Sequence, residues 1–77
     1  MALAQINKAL KAHNPALELV KGEGYHYFIF DAVAERNIYE TESHYVVYTS
    51  HVPDTRWIED GIAFADRVEA EAKERGL

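Results

Sequence analysis

The side chains best suited to catalysis or metal binding are the histidines. The chain has four of them: His13, His26, His44 and His51. None shows the His-x-His or i, i+4 spacing of strong zinc motifs, although His26 and His44 could meet as neighbours on adjacent strands. We therefore expect ordinary sheet and surface histidines, with a metal site as the alternative. Ser43-His44 and Ser50-His51 are adjacent pairs, and adjacent strand residues point to opposite faces, so neither pair predicts a nucleophile beside its base.

Carboxylates between residues 31 and 42 are the second candidate chemistry. Asp31, Glu35, Glu40 and Glu42 could supply an acid and a base, but such a pair must line a pocket. A sheet and two helices built from 77 residues scarcely enclose one. We therefore expect a solvated acidic stretch, no catalytic residue, no cofactor or metal, and no enzymatic activity.

Tyrosines are the better candidates for function, because tyrosine is enriched at protein interfaces and among their energetic anchors. Tyrosines on a sheet, ringed by carboxylates, could bind a basic or aromatic partner, although part of the set must lie in the core. We predict a partner-binding surface that combines them with the acidic stretch. Its residues are Tyr25, Tyr27, Glu35, Tyr39, Glu40, Glu42, Tyr45 and Tyr48.

Charge limits the choice of partner. The net charge is −5, and residues 18–60 alone carry nine acids against three bases. Nucleic-acid binding normally requires a basic face, so DNA or RNA is not expected as a direct partner. An acidic chain suits a basic protein surface instead. The absence of cysteine excludes disulfides and thiol chemistry and agrees with a reducing cytosol.

Neither a membrane span nor a signal peptide is expected. No apolar run approaches the ~18 residues of a membrane helix. Gln5, Asn7 and Lys8 lie where a signal peptide would be apolar. These features predict a chain that neither spans a membrane nor follows the usual secretory route.

The N-terminal half predicts a helix and a hairpin. Leu3, Ile6 and Leu10 form one apolar stripe over residues 2–13, and Asn14-Pro15 ends the helix. Residues 17–20 and 25–30 are rich in apolar and aromatic side chains and predict two strands. The link 21–24 has glycines at two positions, which indicates an antiparallel hairpin rather than a phosphate loop, because it opens onto a strand.

The C-terminal half predicts a further strand and a long helix. Residues 43–49 alternate as a strand. Residues 31–37 fit a loop or a single helical turn, residues 38–41 fit the end of a strand, and the pattern leaves open whether 38–49 is one bent strand or two. Asp54 is the expected N-cap of a helix over residues 55–75, with Gly76 as its stop. Gly61 lies within the apolar stripe of this helix, where it allows a close approach to the sheet or is simply tolerated.

These elements predict one small α+β domain over residues 1–77, in the order α-β-β-β-α. Its antiparallel sheet has three or four strands, and both helices pack on one face of it. The stretch 25–30 carries aromatics on both faces and should be the central strand. The other face of the sheet would then expose aromatic side chains, which in a monomer calls for explanation.

The run Lys21-Gly22-Glu23-Gly24-Tyr25-His26-Tyr27-Phe28, with Tyr45-Val46-Val47-Tyr48 and the helix containing Trp57, resembles short uncharacterised proteins of bacteriophages and prophages. The resemblance spans most of the chain and implies a phage or mobile-element origin and action in a bacterial cytoplasm. It transfers no catalytic residue. Small acidic cysteine-free phage proteins are similar in type to anti-CRISPR and other anti-defence inhibitors, an analogy of size and charge.

Two further classes remain beside an inhibitor of a host protein, such as a nucleic-acid-binding defence complex. The first alternative is a homo-oligomeric accessory protein, for example a homodimer, which buries the exposed sheet face on a copy of itself. The second is a small enzyme or metal protein built on the histidines. Light scattering separates the first alternative from an inhibitor, and metal analysis tests the metal form of the second.

Overall fold

The structure, a computed structural model, describes residues 2–76. The order of helices and strands is α-β-β-α-β-α, in which the second helix is a single turn, so the predicted α+β class is confirmed. A 3-10 helix at Thr49–His51 precedes the last helix. The elements are α1 (Ala2–His13), β1 (Leu17–Lys21), β2 (His26–Ala32), α2 (Val33–Arg36), β3 (Ile38–His44) and α3 (Asp54–Glu74).

The three strands form one antiparallel sheet in the order β1-β2-β3, so the stretch predicted as central is central. The loop between β1 and β2 closes with a hydrogen bond of 2.8 Å from Gly22 N–H to Tyr25 O. Gly24 has a φ of 79°, which a residue with a side chain rarely adopts. The predicted hairpin is confirmed.

Both long helices pack on the same face of the sheet. The face is formed by alternate strand residues, and the even-numbered positions of β2 are the buried ones. Leu3 and Ile58 are only half-buried at the margin of the core, and Ile62 is half-buried too. The core consists of Ile6, Leu10, Leu17, Leu19, Phe28, Phe30, Ala32, Ile38, Trp57, Phe64, Ala65, Val68 and Ala72.

At Gly61, α3 lies close to both α1 and the sheet. A Cβ atom at this position would lie 2.6 Å from Leu10 Cδ2 and 2.9 Å from Phe28 Cε1. Both neighbours are fully buried, so neither side chain has free space beside it. Of the two explanations offered by the sequence, close approach is therefore the correct one.

The prediction of a strand over residues 43–49 is wrong in its position. The strand is β3, and it ends at His44, whose register partner is His26, the first residue of β2. The residues that precede His26 belong to the hairpin loop, so residues 45–49 have no strand to pair with. These residues have high β-propensity but form no strand, because β-propensity mostly reflects packing against a neighbouring strand and here none is available.

The residues that the sequence left open, 31–43, contain three different structures. Asp31 lies in the end of β2, one helical turn follows, and Asn37 adopts a left-handed conformation with a φ of 54°. This conformation is tolerated by asparagine and reverses the chain into β3. The N-cap prediction is also wrong, because α3 begins one residue earlier, with Pro53 as its N-cap and Asp54 in its first turn.

The outer edge of β1 is closed by a side chain of α1. The Asn7 side chain accepts a hydrogen bond from Leu19 N–H at 2.6 Å and donates one to Leu19 O at 2.9 Å. These are the backbone groups that point away from β2. Asn7 therefore takes the place that a neighbouring strand would occupy.

Candidate protein-binding surface

The face of the sheet opposite the helices is uncovered and aromatic. Its side chains come from the odd-numbered positions of β2 and the strand residues in register with them. Tyr25 and Tyr45, just outside the strands, join this face because their rings extend the row that begins at Tyr27. None of them belongs to the hydrophobic core or is packed against it. We call this surface the tyrosine face, and its apolar and aromatic members are Val20, Tyr25, Tyr27, Ile29, Tyr39 and Tyr45.

Three of these tyrosines form a cluster. The ring centroids of Tyr25 and Tyr27 are 5.6 Å apart, and those of Tyr25 and Tyr45 are 6.1 Å apart. Tyr25 and Tyr27 are half-buried, whereas Tyr45 is 87% exposed. The ring of Tyr25 also packs over Gly22, where an added Cβ would lie 2.7 Å from Tyr25 Cζ. The cluster thus presents two rings held in place and a third that projects into solvent.

The other two predicted tyrosines lie apart from this cluster. Tyr39 is 55% exposed and is in register with Asp31, toward the opposite end of the same face. Tyr48 is off the sheet, in the segment after β3, where its ring contacts His51 edge-on at a centroid distance of 5.2 Å. The structure therefore brings Tyr39 onto the surface with Tyr25, Tyr27 and Tyr45, and leaves Tyr48 out of it.

The predicted carboxylates do not ring the tyrosines. Glu40 and Glu42 are in register with Phe30 and Phe28, so they point to the helix side of β3. Glu35 is exposed on α2. The alternation that separates these acids from Tyr39 was present in the sequence, but it could be applied only once residues 38–44 were known to form one strand.

Glu42 is held within the protein. One carboxylate oxygen accepts from Arg67 Nη2 on α3 at 3.1 Å, and the other lies 3.1 Å from His44 Nε2. Nearby, Arg56 pairs with Asp60 across one turn of α3 at 3.1 Å. These groups line a shallow polar groove between β3 and α3 whose charges pair with one another.

The histidines expected as possible strand neighbours do meet, since His26 and His44 are register partners. His26 is 2% exposed, and its Nδ1 donates a hydrogen bond of 2.8 Å to Val46 O. Across residues 2–76, no three histidine or acidic side chains converge as ligands for a metal ion. The arrangement that is seen holds the chain after β3 in place.

A second ion pair ties the turn after β2 to the last helix. Arg36 donates a hydrogen bond to Glu69, and this contact lowers the pKa of the Glu69 carboxyl and raises the pKa of Arg36. The turn that contains Glu35 is therefore anchored to α3. This contact fixes the position of an exposed acid at the margin of the sheet.

A small pocket lies beside the segment after β3. Its volume is about 190 Å³, and Lys21, His26 and Ser50 contribute polar groups to its lining. Sites for drug-sized ligands usually measure ~300–1,000 Å³. This pocket is smaller than such a site. The groove between β3 and α3 is larger, about 480 Å³, but its charged side chains pair with one another, so the tyrosine face remains the main candidate surface.

No family model matches this chain, and searches of curated proteins and of solved structures found no match either. The resemblance to phage proteins therefore stays a prediction from the sequence. Within residues 2–76, no helix is both long and apolar enough to cross a membrane.

Proposed function

We propose that this chain is a small phage or mobile-element protein that binds a bacterial host protein in the cytoplasm and inhibits it. Its target would be a basic, nucleic-acid-binding defence complex, as for anti-CRISPR and related inhibitors. The observation that supports the proposal is the uncovered aromatic sheet face, with Tyr25, Tyr27 and Tyr45 clustered and Tyr39 beside Asp31. The phage origin is supported only by the resemblance of the sequence.

The tyrosine face has the composition of a protein-binding surface. Tyrosine offers a large contact area for the loss of only two side-chain torsions, and its hydroxyl can hydrogen-bond at the wet rim. Tyr27 and Ile29 lie side by side along the central strand, which is held by a hydrogen-bonded strand on each side. A rigid centre with exposed aromatic neighbours is typical of the energetic anchors of interfaces.

The net charge of −5 supports a basic target. Opposite charge on two proteins speeds their encounter and restricts the choice of partner. A host site that normally holds nucleic-acid phosphates carries that opposite charge. Covering such a site would inhibit the host protein without any chemical turnover.

Two tyrosines outside the strands provide a matched test. Tyr45 contacts the cluster and Tyr48 does not, yet both are exposed and both lie between β3 and the 3-10 helix. The tagged chain would be used to capture its partner from lysate of a bacterial host, and the identified partner would be measured by surface plasmon resonance. We expect Tyr45→Ala to speed dissociation about tenfold, as an anchor does, and Tyr48→Ala to leave it unchanged. Equal effects of the two variants would contradict the proposal.

The contribution of the acidic side chains is tested by measuring the rate of association with the partner. Charge reversal of Glu35 and Glu40 together should slow binding to the partner and flatten its dependence on salt, because charges outside the contact surface act mainly on encounter. Glu42 is left unchanged because it pairs with Arg67. Wild-type association of the double variant at low salt would show that these acids do not steer the complex.

A homo-oligomeric accessory protein is the second candidate, favoured by the same uncovered face, which a second copy could bury. Light scattering over a range of concentrations distinguishes the two. A stable oligomer that Tyr45→Ala dissociates, together with no captured host protein, would favour the accessory protein.

A further inference from the structure

β3 is an edge strand whose outward backbone groups can be identified from the register. Because the Leu19 N–H and C=O are taken by Asn7, the Leu19–Phe28 pair is not hydrogen-bonded across the strands. Hydrogen-bonded and non-hydrogen-bonded pairs alternate in an antiparallel sheet. Phe28 must therefore direct its N–H and C=O toward Glu42 in β3.

The same alternation continues along β3. The backbone N–H and C=O groups of Glu40 and Glu42 bond to β2. The residues between and beside these two therefore direct their N–H and C=O groups away from the sheet. These outward residues are Tyr39, Thr41 and Ser43. Among the described residues, no side chain or loop supplies hydrogen bonds to them, in contrast to Leu19 of β1.

The two edges of the sheet thus differ. Proteins usually protect an edge strand, because its open backbone groups can pair with another chain. Here one edge is closed by Asn7, and the other is open over three alternate residues beside the tyrosine face. An open sheet edge can bind an extended peptide as an added strand, with specificity supplied by the side chains beside it.

A second copy of this chain is a poor occupant of the open edge. Two-fold antiparallel pairing of β3 with itself can be centred on Glu40, Thr41 or Glu42 if most of the strand is to pair. Each of these registers puts a glutamate of one copy directly opposite a glutamate of the other. Like charges directly opposite one another destabilise a strand pair.

A basic extended segment fits the same edge. Its side chains on the helix side would lie beside Glu40, which forms no ion pair within the described residues, and beside Glu42, which Arg67 already neutralises in part. Its side chains on the other side would lie beside Tyr39, Thr41 and Ser43, where apolar residues would extend the tyrosine face. The complementary sequence therefore alternates basic with apolar residues.

We propose that the outer edge of β3 binds an extended segment of alternating basic and apolar residues as a fourth strand. The proposal rests on the proposed function for the source of that segment, a host protein, and it names how the protein is recognised. Backbone hydrogen bonds at Tyr39, Thr41 and Ser43 hold the segment, and Glu40 selects its charge.

The test uses two synthetic peptides, one of alternating lysine and valine and one in which glutamate replaces each lysine. Binding to the full chain is measured by isothermal titration, and amide protection by NMR hydrogen exchange. We expect the lysine peptide to bind and to protect the amides of Tyr39, Thr41 and Ser43, and the glutamate peptide not to bind. Binding of both peptides alike, or protection at other residues, would overturn the proposal.

Two matched substitutions of Thr41 test the contribution of its outward backbone N–H. Thr41→Pro removes the outward N–H, which a proline on an edge strand can do without breaking the sheet, whereas Thr41→Val keeps it. We expect the proline variant to bind the lysine peptide about tenfold more weakly and the valine variant to bind as wild type does. If Thr41→Pro fails to fold, chemically synthesised protein with N-methylated Thr41 replaces it. Unchanged binding in the variant that folds would overturn the proposal.

Separate outcomes distinguish this inference from the proposed function. If host capture depends on Tyr45 and is unaffected by Thr41→Pro, the tyrosine face acts alone and the strand-addition inference is wrong. If the lysine peptide binds at β3 and no host protein is captured, the inference stands and the proposed function fails. A dimer that Thr41→Pro dissociates would replace the basic segment with a second copy.

Discussion

Replacing Asn7 by alanine should destabilise the protein through the edge of the sheet rather than through the helix that carries Asn7. The Asn7 side chain makes both hydrogen bonds of the outward Leu19 backbone groups, at 2.6 and 2.9 Å. Leu19 is 1% exposed, so water reaches those groups poorly once the amide is gone. The variant therefore loses two hydrogen bonds whose partners remain in place.

The size of the effect follows from these two bonds. A protein hydrogen bond contributes ~0.5–1.5 kcal/mol net, so two bonds give ~1–3 kcal/mol. Alanine recovers ~0.6 kcal/mol through its better helix propensity. We expect a net loss of about 0.4–2.4 kcal/mol, which in a domain of this size lowers the melting temperature by ~2–19 °C.

The assay is urea unfolding followed by Trp57 fluorescence, with calorimetry for the melting temperature. Gln5→Ala is the matched control, because Gln5 is an exposed amide on the same helix and should show only the small gain in propensity. Light scattering follows the edge itself, since the freed groups of Leu19 should promote association. An Asn7→Ala protein as stable as the Gln5→Ala protein would refute the reasoning.

The remaining predictions concern the core and one ion pair. Phe64→Ala should cost ~3–5 kcal/mol in urea unfolding, and a loss below ~1 kcal/mol would mean that the ring is not part of the core. Gly61→Ala should destabilise despite a helix gain of ~1 kcal/mol, because overpacking against Leu10 costs ~1–3 kcal/mol; a more stable variant would show free space there. Arg36 lowers the pKa of Glu69, so this pair stabilises the fold above the usual carboxyl range and ceases to do so as pH falls through the lowered pKa. The gap in unfolding midpoint between wild type and Glu69→Gln should therefore narrow on acidification, and a gap that is constant from pH 7 to about 3 would contradict this.

The parts of the fold that depend on local pattern could be predicted. The helix stripes and the hairpin with its glycine turn involve residues close together in the sequence, and all three lie within two residues of their expected bounds. Residues 45–48 were wrongly predicted as a strand because their alternating pattern is a local feature of the sequence. The missing partner is not a local feature: it depends on β2, whose pairing with β3 stops at His26. Propensity cannot indicate when a partner is missing.

The candidate site could be predicted only in part, for the same reason. The tyrosines were recognisable by type, but the side of the sheet on which Glu40 lies depends on the register of β3 with β2. Asn7 was beyond sequence reasoning altogether. It lies off the apolar stripe of its helix and is typical of a solvent-facing position, yet its partner is a backbone twelve residues along the chain.

The hydrogen bond from the buried His26 to the carbonyl of Val46 has a consequence for the entropy of binding. It fixes the backbone one residue beyond Tyr45, and Trp57 Nε1 donates a similar bond of 2.9 Å to Thr49 O further along. Immobilising a side chain at an interface costs ~0.5–1.5 kcal/mol, and a mobile backbone would add to that. Because two buried side chains restrain this segment in the free protein, Tyr45 would lose mainly its own side-chain freedom on binding the proposed partner.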